Sequence, residues 1–229
     1  MNLIIALIVS ILFYGAFSKQ VKKNPVLFYV GTFLLDAIVI SYYMLGFNKF
    51  VPIWVTTNIM DLFQRGAFST ATFIIVMFLG AIIKHNDFTL RFMKIRGELS
   101  IIGCLLAFQH NIIFGIVYLP ALIFHPESLK GPYLIAVIIT IVLLVIMIPL
   151  FITSFRCVRN KIRPKAWKKL QRLAYPFYYL IYLHVMVLFL MDWEKHILDI
   201  AIYTLIYLIY TIARLRKFVY KRKSKELKG

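Results

Sequence analysis

Acidic residues are scarce in this chain: 9 Asp and Glu stand against 27 Lys and Arg, a formal charge of +18 over 229 residues. Cysteine is scarcer still. Cys104 sits in an apolar run and Cys157 in a basic loop, a placement that argues against a disulfide between them. With no C-x-x-C and no C-x-x-C-H, zinc ribbons and covalently attached c-type haem fall away. The G-x-G-x-x-G of a dinucleotide-binding turn is missing, so a flavin or nicotinamide domain is not expected in the stretch up to Gly229. Internal repeats are missing too, and no loop is long enough for a second soluble domain.

Apolar residues are abundant, at 62% of the chain. A soluble domain of this length could not hide that much apolar surface, so the expected fold is all-α, a polytopic transmembrane helical bundle. Seven apolar runs stand out, at about 3–17, 25–47, 67–83, 98–119, 132–155, 173–191 and 197–213. A span needs roughly 17–25 residues. The first run is short and the last is at the limit, so six spans is the alternative to seven. The opening MNLIIALIVSILFYGAF has no basic n-region, and reads as a retained first span rather than a cleaved signal.

The basic residues cluster between runs, a pattern of membrane topology rather than of a nucleic-acid-binding face. One set of alternate segments carries 23 of the 27: Lys19 to Lys23, Lys84 to Arg96, Arg156 to Arg172, and Arg214 to Lys228. The other set has Lys49, Arg65, Lys130 and Lys195. The positive-inside rule then puts the N-terminus outside and the C-terminus in the cytoplasm of a cell-membrane, multi-pass protein. Residues 1–213 form the transmembrane domain, and 214–229 a basic cytoplasmic tail that also touches anionic lipid. The longest outer loop, 48–66, is expected to lie in the interface.

Of five histidines, His85, His125 and His196 fall in loops or near span ends and read as solvated. His110 and His184 fall well within apolar runs. Each lies twelve residues beyond a cytoplasmic boundary, at Glu98 and Arg172, or about 18 Å up its helix at 1.5 Å per residue. Both helices run from inside to outside. Two imidazoles at equal depth on codirectional helices could ligate one iron from opposite sides; equally, each could donate to a backbone carbonyl or pair with a tyrosine. Gly103 and Ala107 lie below His110 on its face, leaving room for a flat macrocycle or for helix–helix contact. Phe177 and Leu188 share the His184 face, and Pro176 is expected to kink its helix. Asp36, midway along the second run, reads as a structural hydrogen-bonding group or a proton acceptor.

The segments "IRGELSIIGCLLAFQHNIIFG" and "KAWKKLQRLAYPFYYLIYLHV" resemble the ferric reductase-like transmembrane domain family, over roughly residues 60–195. That family includes ferric reductases, NADPH oxidases and the haem membrane subunit of bacterial methionine sulfoxide reductase systems. The second segment is similar to the family's W-x-x-L-H-R-L-x-Y run, with a further His thirteen residues beyond the first. The resemblance implies haem b bound by His110 and His184. Gln171 stands where the family often has its inner His, and Gly97, thirteen residues before His110, offers no partner. One haem is therefore implied rather than two.

It further implies an electron-transfer subunit that works with partners. Its donor would be a membrane quinol or a reductase. Its acceptor on the outer side would be a protein, such as a flavin protein, or ferric iron. Flavin is expected only on a partner, and nucleic acid not at all. Arg96, Lys169 and Arg172, at the inner ends of the two helices, would meet lipid headgroups rather than haem propionates. The other readings of the sequence are a haem-free transporter component and an assembly or structural protein; inverted repeats and several mid-depth charges, common in transporters, are not seen.

Overall fold

The computed structural model describes residues 2–129 and 131–226; Lys130 and Lys228, counted above among the basic residues, lie outside them, as does the end of the tail. The described residues are helical throughout, with no strand. In chain order the helices are α1 (Asn2–Lys23), α2 (Pro25–Met44), α3 (Ile53–Val55), α4 (Asp61–Gln64), α5 (Ala67–Ala81) and α6 (Asp87–Lys94). There follow α7 (Arg96–Phe124), α8 (Gly131–Ile152), α9 (Arg156–Arg159), α10 (Pro164–Gln171), α11 (Ala174–Phe189) and α12 (Trp193–Glu226). A π-helical turn, Thr56–Met60, joins α3 to α4.

Five stretches are long and apolar enough to cross a membrane: α1, α2, α7, α8 and one within 164–224. Ile53–Gln64 and Ala67–Ala81, bent by 44° at the Arg65–Gly66 break, make a sixth when taken together. The 164–224 stretch is not one rod. Tyr175 meets Arg214, Tyr178 meets Tyr207 and Tyr210, Tyr182 meets Thr204, and Phe189 meets His196 and Tyr203. Partners descend α12 as residues ascend α11, so the two form an antiparallel hairpin. On the outside of the bundle Leu12, Leu27, Phe33, Val145 and Leu198 are each more than 60% exposed, the apolar girdle expected of a protein with lipid as its solvent.

The centre of the bundle is α5. Twelve of its fifteen residues are buried and none is exposed, so it is enclosed on every side rather than amphipathic. Its neighbours are α1, α7, α11 and α12. Tyr14 on α1 hydrogen-bonds Thr72 at 3.0 Å. Gly103 on α7 faces α5 so closely that a Cβ would meet the Phe73 ring at 3.1 Å and Thr72 at 3.2 Å. The small residue serves helix–helix contact.

Helix α8 runs antiparallel to both histidine-bearing helices. Against α7, Phe108 meets Phe151 and Tyr118 meets Tyr133. Against α11, His184 meets Thr140, and Gln171 just before α11 meets Thr153. Helices α7 and α11 therefore point the same way.

The basic segments gather at one end of the bundle. Lys22 Nζ donates to the Lys94 carbonyl at 3.0 Å, and Arg156 binds the buried Glu98 carboxylate. Arg96 Nε donates to the Val76 carbonyl at 2.9 Å, and Arg214 and Lys217 donate to the Gly80 carbonyl at 3.2 and 3.0 Å. Arg96 thus lies inside the fold against α5 rather than among headgroups, its guanidinium on a carbonyl about a turn in from the helix end and beside Gly80. Lys169 and Arg172 remain exposed. Helix α12 continues unbroken through 214–226, so the basic residues there extend the last helix.

Two further expectations change. Pro176 does not kink a continuous helix: it sits in the first turn of α11, where its missing N–H goes unneeded, and the break falls just before it at Arg172–Leu173. Residues 53–64, within the expected loop, are helical and lead into α5.

Gly103→Ala is expected to destabilise the protein by about 1–3 kcal/mol, as overpacking of a fitted contact does. The measurement is the thermal unfolding midpoint in detergent, which should fall.

Candidate functional site

His110 and His184 line one cavity of about 850 Å³, within the roughly 300–1,000 Å³ range of small-molecule and cofactor sites. A smaller, mostly apolar cleft of about 230 Å³ between α7 and α8 touches both rings from the other side. The large cavity extends from the histidines to the end of the bundle opposite the basic clusters, where Arg65, Asp192 and Asp199 stand at its rim.

The histidines are held in the same way. His110 Nδ1 lies 2.6 Å from the Gln64 carbonyl oxygen. His184 Nδ1 lies 3.2 Å from the Ala136 carbonyl oxygen and 3.3 Å from Thr140 Oγ1. A carbonyl can only accept, so in each ring Nδ1 carries the proton. That leaves Nε2 with its lone pair, and among the described residues neither Nε2 has a hydrogen-bond partner. Sequence reading offered carbonyl bonding and metal ligation as rival roles. The geometry makes them compatible, since a carbonyl on Nδ1 is the usual second partner of a ligating imidazole.

The Gln64 carbonyl is free because the helix breaks there. Gly66 has φ +69°, the left-handed region open to glycine at little cost. A Cβ at Gly66 would lie 3.4 Å from His110 Cγ and Nδ1. Gln64 and Gly66 escaped sequence reasoning. The Gly in QRGAF marks a turn, but nothing in the sequence ties it to a residue 44 positions away.

The remaining expected residues divide. Ala107 lines the cavity; Gly103 does not, and its smallness instead lets Phe73, a cavity wall, pack against α7. Phe177 and Leu188 also form walls. Asp36 is buried in α2 with Oδ1 unpaired and lines neither cavity. His196 is not a solvated loop residue: it stacks on Phe189 at 4.6 Å and lines the large cavity, 3.6 Å from the Asp199 carboxylate. Above His110 the rings of Phe114, Tyr118 and Tyr133 follow at 5.0, 6.3 and 6.2 Å.

At the level of Gln171 the space is different. A void of only about 40 Å³ lies there, enough for a water and far too small for a macrocycle. Gln171 Nε2 donates to Thr153 Oγ1 at 3.2 Å, and Trp167 Nε1 donates to the Thr153 carbonyl at 3.0 Å. The amide helps fasten α10 to the end of α8. Among the described residues no three His, Cys, Asp or Glu side chains gather as a metal site.

An uncharacterized protein of Treponema pallidum (strain Nichols) is 31% identical to this chain over 228 residues, which cover 98% of the chain. The chain spans 62% of that relative's length. No protein-family model matches the chain, and no solved structure matches it.

Gly66→Ala is expected to strain the left-handed turn by about 1–2 kcal/mol and to loosen His110 from the Gln64 carbonyl. The check is the His110 Nδ1–H resonance in 15N-labelled protein, which should broaden or shift while that of His184 holds.

Proposed function

We propose that this chain is a multi-pass membrane protein that binds one b-type haem between His110 and His184 and works as an electron-transfer subunit. Seven segments would cross: α1, α2, the bent unit ending in α5, α7, α8, α11 and α12. Gathering of the basic segments at one end supports a cytoplasmic placement of that end and an outer N-terminus. The observation that carries the haem reading is the matched pair of imidazoles. They stand on codirectional helices, face one cavity, and have Nδ1–H anchored and Nε2 open. The resemblance to ferric reductase-like domains points the same way.

A bound haem supplies one-electron redox chemistry. The chain supplies the rest. The Gln64 and Ala136 carbonyls fix the two rings and make Nε2 the better donor. Phe73, Phe114, Phe177 and Ile181 supply apolar walls beside the polar groups of the cavity. The cavity's polar rim lies at the outer end, which suits delivery to an acceptor there, a flavin protein or ferric iron. The donor in this reading is a membrane quinol or a reductase partner. Gln171, engaged with Thr153 beside a 40 Å³ void, supports one haem rather than two.

Protein purified in detergent should give a sharp low-spin b-type reduced-minus-oxidised spectrum at about one haem per chain. His110→Ala and His184→Ala should each abolish it. A folded, colourless wild-type protein from haem-replete cells would end this reading.

A further inference from the structure

The two ends of α5 are finished differently. At its last turn Arg214 and Lys217 both donate to the Gly80 carbonyl, and Lys217 also donates to the Ile82 carbonyl just beyond. At its first turn, the N–H groups of Ala67, Phe68 and Ser69 make no backbone hydrogen bond, and no side chain caps them. Ser69 Oγ is spent on the Gly66 carbonyl at 2.9 Å. This turn forms part of the wall of the large cavity, where Gly66 touches His110. Unpaired N–H groups and the positive end of the helix dipole thus lie at the cavity wall beside the candidate ligand.

A second observation is independent of the helix end. Thr70 is 8% exposed and lines the same cavity, and among the described residues its hydroxyl has no hydrogen-bond partner. A buried hydroxyl is normally paired; the other buried threonines, Thr72 and Thr153, both are. Arg65 stands at the same wall, its charge shared with Asp61 at 3.1 Å. Across the cavity Asp192 and Asp199 are acidic, so an anion would be held against α5 and away from α11 and α12.

We infer that the first turn of α5 is a carboxylate site, in which the N–H groups of Ala67 to Ser69 and the Thr70 hydroxyl take a carboxylate inside the cavity. Its source is a propionate of the porphyrin, an inference that rests on the haem reading above; a free small carboxylate would use the same donors. The macrocycle is apolar except at its propionate edge. An ionised carboxylate is not buried at membrane depth without donors. The α5 turn provides them next to His110, so it would fix which edge of the porphyrin faces it.

The test is titration of the haem-stripped full-length protein with haem b and with haem dimethyl ester, whose propionates cannot ionise. Wild type should bind haem b about 10-fold more tightly than the ester, the worth of one or two charge-assisted hydrogen bonds. Thr70→Val should shrink that preference several-fold, and Thr70→Ser should restore it, with the low-spin spectrum unchanged in all three. Equal affinity of wild type for both porphyrins would overturn the carboxylate site and leave the histidine reading intact. If neither porphyrin binds, the haem reading fails, and acetate decides. A rise in the unfolding midpoint with acetate, seen in wild type but not in Thr70→Val, would assign the site to a free carboxylate, and no rise would overturn it.

Discussion

A helix of fifteen residues is about 22 Å long, short of the roughly 30 Å hydrocarbon core. α5 is that helix, and it is enclosed on every side. The orphan backbone groups at its ends cannot be satisfied by lipid. Much of the bundle follows from this. At the basic end, α12 sends Arg214 and Lys217 to the Gly80 carbonyl in the last turn of α5, and α7 sends Arg96 to the Val76 carbonyl about a turn earlier. These bonds fix how α7 and α12 sit against the centre. At the other end the chain bends at Gly66, frees the Gln64 carbonyl and gives it to His110. The break that starts one short helix and the orientation of a candidate ligand are parts of one solution.

The same cations thus have two consequences. Lys and Arg at one end bias topology, and three of them also bond carbonyls in the last two turns of α5. The first consequence is readable along the chain, because it depends only on which segments are basic. The second depends on residues 20 to 137 positions apart coming together. Nothing local in the sequence marks Arg214 as a partner of Gly80 rather than of a phosphate.

The same divide separates what was legible about the site. The apolar runs, the enclosed histidines and their equal depth follow from composition and helical rise, which are properties of single segments. The Gln64 carbonyl is a backbone atom whose availability depends on the conformation of Gly66, and backbone acceptors carry no sequence signature. Gly103 was legible as small but not as facing α5, since a glycine face suits a cofactor and a neighbouring helix equally. Pro176 was read as a kink because the apolar run continued through it. Its ring conflicts with the carbonyl four residues back, at Arg172. The chain resolves that conflict by ending α10 and beginning α11 with the proline in its first turn.

The depth match between His110 and His184 would mean little if the helices could slide. Helix α8 prevents that. It lies antiparallel to both and, with the residues that follow it, is tied to each at two levels. Near the basic end Arg156 at the start of α9 holds Glu98 of α7, and Thr153, just past α8, holds Gln171 ahead of α11. Higher up, Tyr118 of α7 stacks on Tyr133, and His184 of α11 reaches the Ala136 carbonyl. A shift of either helix by one turn, about 5.4 Å, would break contacts at both levels. In this view Gln171 is no failed ligand. An imidazole at this position could serve a haem only if the 40 Å³ void beside it were much larger. The amide instead fastens the lower end of α11 to α8, which keeps His184 level with His110.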